Sequence, residues 1–381
     1  MNNKPHITIV APYKIFPAVT GGQKCISLLY SYLQQYLPLS ILGTDNNEDG
    51  GNLESSLQRV MSHSKLRYIN PFLIKKIKAA LKQHQSEHLV LEHPYMGWMG
   101  VLAAKLYGCK LIIHSHNIEA TRFKSTGKWW WGILWNYERW VHRQAAVNFF
   151  ITEEDRQFAI KHFALMPSRC HIITYGIEWQ QPPSEIDRNQ ARQYLQSTHK
   201  IASNEKIILF NGTLDYLPNL EAVNIILNEI NPRLQQLSNF KYRILICGKN
   251  LPESYIKNGH QLAPAVEYTG FVKDIGLYFK GADIFINPVT EGGGIKTKLV
   301  EALGHNLSSV STTNGAFGIS TAVTGNKLII AGDKDWDSFC TAITNVSVNE
   351  NIPEQFFKEF YWGNIAGKAA EILEAEVKSK K

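Results

Sequence analysis

The stretch EGGGIKTKLVEALG, residues 291–304, sets three consecutive glycines ahead of Lys296, Lys298 and Glu301. Gly292, Gly293 and Gly294 let a ligand approach the main chain closely, the first amides of a following helix lack intrahelical partners, and a lysine supplies a full positive charge. A phosphate group fits that combination. At about 100° per residue, Leu299, Val300, Ala302 and Leu303 share one helical face, with Thr297, Lys298 and Glu301 across from it. Lys296 would fall in the apolar sector, and burying an unpaired ammonium is costly, so the helix is expected to start near Ile295 with Lys296 at or before its first turn. Glu301, deeper in the helix, could accept bonds from ribose hydroxyls. The same spacing also fits a flexible glycine loop with solvated charges.

A second cluster, His114, His116, Asn117, Glu119 and Arg122, follows the apolar string CKLII. Two histidines two residues apart raise the question of a metal, but no HExxH helix and no coherent third ligand accompanies them. No metal site is assigned, and the acidic run DKDWD at 333–337 reads as a solvated loop. Gly21 and Gly22 precede a helical pattern and offer another phosphate approach without the full dinucleotide fingerprint; a small-residue turn explains them equally well.

The elements that must carry these residues alternate along the chain. Short apolar strings (HITIVAP, PLSILG, HLVLEH, CKLIIHSH and VNFFIT, then KIILFNG, YRILICG, VEYTG and ADIFINP) are separated by helical stretches, the pattern of βα units and mostly parallel sheets. The 381 residues suit two domains of this α/β class. A Pro-Pro pair in YGIEWQQPPSEIDRN places the connection near residues 178–186. The expected division is 1–180, 181–355 and a C-terminal helix at 356–381 that packs back against the first domain or across both. Two open α/β domains create a cleft at the carboxyl ends of their strands, where ligands favour this architecture.

The formal net charge of +7 favours an anionic ligand or membrane surface. Nucleic acid is not expected, since no zinc-finger spacing, basic region feeding heptads or arginine-rich arm is present. Five scattered cysteines, mostly in apolar strings, read as buried thiols in a reducing compartment. The amino terminus enters a strand pattern directly, and no run approaches the roughly 18 apolar residues of a membrane span. The expectation is a cytoplasmic protein, associated at most with the inner face of the membrane.

The segments FNGTLDYLPNLEAV, VEYTGFVKDIGLYFKGADIFINP, GGGIKTKLVEALG and SVSTTNGAFGI, in that order, resemble the GT-B glycosyltransferases, especially the bacterial group called family 4. The early GG and HSHNIEATRF extend the likeness to nearly the full chain. It implies two Rossmann-like domains facing across a cleft, an N-terminal acceptor-binding domain and a C-terminal nucleotide-sugar-binding domain, with no metal and no cofactor beyond the donor substrate. On the donor side the resemblance implies Gly212 and Thr213 near the phosphates, Gly270, Phe271 and Val272 at the base, Gly293 and Gly294 in the phosphate loop, and Glu301 at the ribose. Gly21 and Gly22 would face the donor from the other domain. His116 looks like the family's cleft histidine, with Asn117 and Glu119 organising that loop or contacting acceptor hydroxyls, and Arg122 reading an acidic acceptor or pairing with Glu119. The departures are specific. Gly293 stands where the family's first glutamate is usual, Glu291 lies two residues too early, and Pro218 and Asn219 stand where many members carry a basic residue. Lys296 and Lys298 are the candidates to supply that charge, Lys298 the better one.

A further patch, TRFKSTGKWWWGILWNYERWVHRQ, mixes Arg122, Lys124 and Lys128 with five tryptophans, and PFLIKKIKAALKQH is basic and amphipathic. Both suit an anionic membrane surface or a polyprenyl-linked acceptor, while core packing would also absorb tryptophans. The leading reading is a retaining, metal-independent hexosyltransferase that moves sugar from a nucleotide donor to a glycan or lipid-linked saccharide of the cell envelope. A nucleotide-sugar epimerase, a sugar phosphorylase and a non-catalytic nucleotide-sugar-binding or scaffold protein remain as alternatives.

Overall fold

The computed structural model describes residues 4–256 and 261–378. The chain separates into two compact units, Met1–Glu178 with Phe360–Lys381, and Trp179–Glu359.

The first unit is built on a parallel sheet of β1 (Ile7–Val10), β2 (Leu39–Thr44), β3 (Leu57–Met61), β4 (His88–Glu92), β5 (Lys110–Ser115), β6 (Val147–Phe150) and β7 (Cys170–Ile172). Their order is β3-β2-β1-β4-β5-β6-β7. The strands β1, β2, β4 and β6 are buried along their whole length, as near-continuous apolar runs require when helices cover both faces of a parallel sheet.

The second unit repeats the plan with β8 (Lys206–Asn211), β9 (Tyr242–Cys247), β10 (Gln261–Ala263), β11 (Val266–Gly270), β12 (Ile284–Asn287), β13 (Ser308–Thr312) and β14 (Leu328–Ala331). The order is β10-β11-β9-β8-β12-β13-β14, parallel except for the edge pair β10–β11. Both sheets are doubly wound, with the chain reversing direction across the sheet between β1 and β4 and between β8 and β12. Carboxyl ends of strands at such reversals are the ligand-binding edges of this architecture.

The helix after β12 spans Thr297–Gly304, with Lys296 as its N-cap at φ −88° and ψ 93°. It starts two residues later than the start near Ile295 expected from the sequence, because Lys296 stays extended while its side chain turns back on the loop before it. Leu299, Val300, Ala302 and Leu303 are buried, as the wheel required.

The single C-terminal helix expected at 356–381 is instead two helices, Glu354–Phe360 and Trp362–Lys378, and its last three residues lie outside the described ones. At the break, the Ile177 amide donates to the Phe360 carbonyl (2.6 Å) and the Trp362 amide to the Ile177 carbonyl (3.0 Å). Trp362 is fully buried. The second helix packs on the helix Gly21–Leu33 of the first unit. It is tied to β4 by His88, whose Nε2 donates to the Leu373 carbonyl at 2.9 Å. Among the described residues no helix is long and apolar enough to cross a membrane. The five cysteines are free thiols, four buried and Cys109 half-buried.

Candidate active site

In the second unit the strand ends at β8, β11 and β12 carry the residues of interest. Gly292 and Gly294 have φ of 94° and 71°, a region glycine enters without the Cβ clash other residues suffer. Their carbonyls converge on one ammonium: Lys296 Nζ donates to Gly292 O at 2.9 Å and Gly294 O at 3.0 Å. Lys296 therefore holds the loop closed in this conformation.

Lys298 stands differently. Its Nζ donates to Asn219 Oδ1 at 2.9 Å and to the Asn211 carbonyl at 3.2 Å, and lies 4.2 Å from the centre of the Phe210 ring. Its side chain keeps some exposed area, but the ammonium itself is enclosed by these three residues. Burial, helped by the neighbouring Lys296 charge, lowers its pKa to about 7. Asn219 is fixed in turn, its Nδ2 donating to the Thr213 carbonyl at 3.0 Å. Gly212 is required beside it, since a Cβ there would stand 2.7 Å from the Asn219 side chain.

Gly270 ends β11 with φ 75° and accepts from the Gly248 amide at 2.8 Å. Phe271 beside it is exposed and Val272 half-buried. Glu301 is half-buried, one turn beyond Lys298. Two buried polar atoms at this edge, Asn211 Oδ1 and Thr290 Oγ1, have no hydrogen-bond partner among the described residues. Glu291 is exposed.

In the first unit, Thr20 caps the helix Gly21–Leu33 through a capping box with Gln23, and a Cβ on Gly22 would meet nothing within 4 Å. At the ends of β4 and β5 lies a carboxylate that the sequence reading did not single out. Glu92, fully buried, accepts from His114 Nδ1 (3.0 Å), from His116 Nε2 (2.7 Å) and from the Tyr30 hydroxyl. Burial alone would raise its pKa, but His114 and His116 outweigh that and hold it well below the usual carboxylate range. Burial, then the adjacent His93, lowers His116 to about 4, so near neutral pH it is an uncharged donor to Glu92.

Glu92, His114 and His116 are also the described group whose ligand atoms, within 4.8 Å of one another, are close enough for a metal ion. Each imidazole, however, directs a ring nitrogen at Glu92 at hydrogen-bond distance, which is the arrangement of a polar network. Glu119 is buried beside it, paired to Arg122 Nε at 2.8 Å, and Arg122 also reaches the Tyr95 hydroxyl at 3.1 Å. Asn117 supplies its carbonyl to the Ser115 hydroxyl at 2.7 Å. The amides of Glu119 and Ala120 donate to Glu138, each at 2.9 Å.

The tryptophans divide. Trp135 packs edge-on against Phe158 and Phe163, with centroids 5.6 and 5.2 Å away, whereas Trp129 is 83% exposed and Ile133 68% exposed.

Two family models cover most of the chain between them. Residues 44–181 match Glycosyltransferase Family 4, and residues 205–349 match Glycosyl transferases group 1. The chain is a GT-B-fold glycosyltransferase related to the family-4 enzymes. Solved structures with the same fold include sucrose-phosphate synthase from Thermosynechococcus elongatus, 13% identical with a TM-score of 0.74 over 99% of this chain and 100% of that one. HepE of Anabaena, solved with UDP, is 16% identical with a TM-score of 0.73 over 97% of this chain and 100% of its own. In sequence, this glycosyltransferase is 30% identical over 154 residues to an uncharacterized 44.6 kDa protein in the cps region of Klebsiella pneumoniae. That match spans 37% of the length of the curated relative and 37% of this chain.

Proposed function

We propose that the protein is a retaining, metal-independent hexosyltransferase that moves a sugar from a nucleotide donor to a glycan or polyprenyl-linked saccharide. The observation that carries this reading is Lys298, an ammonium enclosed by Asn211, Asn219 and Phe210 at the carboxyl end of β8, next to the glycine loop that follows β12. In this reading the second unit binds the nucleotide sugar. The diphosphate approaches the main chain at Gly212, Thr213, Gly293 and Gly294, the base lies along Gly270, Phe271 and Val272, and Glu301 accepts from the ribose. Lys298 neutralises the charge that grows on the leaving diphosphate, and Lys296 shapes the loop that receives it. The first unit, with Gly21, Gly22 and His116, binds the acceptor and the sugar being transferred.

The acceptor oxygen forms its bond to the anomeric carbon as the bond from that carbon to the phosphate oxygen breaks. The electron pair leaves with the nucleoside diphosphate, whose oxygen takes the acceptor proton. Positioning and electrostatics carry the step, without a covalent protein intermediate. The exposed Trp129 and Ile133, beside Lys124 and Lys128, support a lipid-facing surface for the acceptor.

HepE was solved with UDP-glucose, which makes this the first donor to try. Sugar release and transfer are measured over a donor and acceptor panel for the native chain and for Lys298→Ala and Glu301→Ala. Loss of turnover in both variants is expected; a folded native chain inactive across the panel, or variants as active as the native chain, would sink the proposal. The anomeric proton coupling of the product decides retention. Turnover that persists after chelation supports metal independence, and an altered nucleotide sugar formed without acceptor would point to epimerisation instead.

A further inference from the structure

His93 follows β4 directly, and its backbone has φ 62° with ψ 159°, a conformation costly for any residue that bears a Cβ. Strain of this kind persists only where surroundings over-determine it, and here they fix an imidazole. The ring is stacked on Tyr95 (centroids 5.4 Å apart, planes 20° apart), meets Tyr13 edge-on at 5.6 Å, and lies 4.3 Å from the His116 ring. Its amide donates to the His114 carbonyl at 2.9 Å.

The polar end of the side chain is equally constrained. His93 Nδ1 lies 3.1 Å from Glu119 Oε1, and both atoms are buried. They are off the linear hydrogen-bond direction, and neither has another hydrogen bond among the described residues. Glu119 is held at this spot from its other side by Arg122, with Nη2 2.6 Å away. Burial pushes the Glu119 carboxyl up, but His93 and Arg122 outweigh it and bring its pKa to about 2. An ionised carboxylate facing Nδ1 favours the tautomer with the proton on Nδ1. That leaves Nε2 with a lone pair and no hydrogen bond among the described residues, while the residue keeps 9% of its surface exposed.

We propose that His93 is a saccharide-hydroxyl ligand, its Nε2 accepting from a ring hydroxyl of the acceptor other than the one that attacks, with Glu119 as the residue that positions it. The assignment rests on the reading of the first unit as the acceptor side. His116 donates through Nε2 to Glu92, and His93 Nδ1 lies 3.1 Å from Glu119, so each of two adjacent imidazoles has one ring nitrogen against a buried carboxylate. Tyr13 and Tyr95 pack against the His93 ring and fix its plane. The arrangement selects an acceptor by the position of one hydroxyl, because an analogue lacking it would leave Nε2 unpaired.

The test uses the full chain with isotope-labelled histidine nitrogens. Long-range proton–nitrogen correlation gives the tautomer of each ring, and His93 is identified by the peaks lost in His93→Gln. The expected result is a proton on Nδ1 and a bare Nε2, with the proton redistributed toward Nε2 in Glu119→Gln. The probes are methyl gluco-, galacto- and mannopyranoside added in the presence of UDP. At least one should shift the Nε2 resonance, with binding about three- to tenfold weaker in Glu119→Gln. A proton on Nε2 in the native chain, or an Nε2 resonance unmoved by all three glycosides, overturns the assignment. Calorimetry with UDP on the same samples tests the wider reading separately. A native chain that ignores UDP counts against the nucleotide-sugar proposal, while the tautomer and glycoside shifts still decide the role of His93.

Discussion

Lys298 Nζ and Asn219 Oδ1 are 2.9 Å apart, so an ammonium from the helix after β12 sits against the side chain that follows β8. By resemblance, many family-4 members carry a basic residue shortly after the strand equivalent to β8, where this chain has Pro218 and Asn219. The pair thus brings to that place a charge supplied from another segment.

Relocation of the charge predicts a rescue. Lys298→Met should weaken UDP binding by about 10- to 100-fold, the range for losing a charge-assisted hydrogen bond. Adding Asn219→Lys to that variant should recover a large part of the loss. Calorimetric titration with UDP measures both, and a double variant no better than the single one would show that the place beside Asn219 is not where the charge is needed.

Donor binding should also take up a proton. Lys298 titrates near 7 in the free protein because burial and Lys296 disfavour its charged form. A diphosphate would restore that charge, so its affinity should be flat well below pH 7 and fall above it by up to about tenfold per pH unit until the bound-state pKa is reached. Calorimetry at about pH 8 in buffers of different ionisation enthalpy reports the proton directly. Equal apparent enthalpies in all buffers would contradict it.

Glu138 should make stability fall as pH rises. Burial, despite two amide donors, raises its carboxyl from 4.5 to about 8, with Glu119 and Asp155 adding to the rise. The folded chain therefore binds this proton more tightly than the unfolded one. The stabilisation is complete below about pH 4.5 and is lost as pH climbs to about 8, on the order of a few kcal/mol. Melting curves of the native chain and Glu138→Gln between about pH 5 and about pH 9 should diverge in slope, the variant being flatter. Parallel curves would remove Glu138 as the cause.

The exposed Trp129 and Ile133 predict salt-sensitive binding to anionic vesicles. Replacing both by serine should reduce sedimentation with phosphatidylglycerol vesicles at low salt by about tenfold, given the apolar area removed. Native protein that stays in the supernatant would assign the patch to some other contact.

Much of this was legible in the sequence because it is local. The glycine run, the helix after it and the polar face bearing Lys298 and Glu301 lie within 14 residues, where turn chemistry and helical period act directly. The alternation of apolar strings likewise gave the two sheets. Glu92 was not singled out because its partners are distant in sequence: Tyr30 is 62 residues away and His114 is 22. One clue was present, since a carboxylate closing the apolar string HLVLE must find donors if that string is a buried strand. His93 gave no clue, as its importance lies in a backbone angle and in Glu119. The break at Tyr361 was hidden for the same reason, because pairing with Ile177 opposes a helical pattern that runs through it.

That pairing at Ile177 has a topological consequence. The chain leaves the first unit and re-enters it at points joined by hydrogen bonds, and a Cβ on Gly176 would collide with Trp362, Ile365 and the Phe360 carbonyl at less than 3 Å. Residues 179–359 are thus an insertion within a single continuous host, and cutting them out would leave two ends already lying side by side for a short splice.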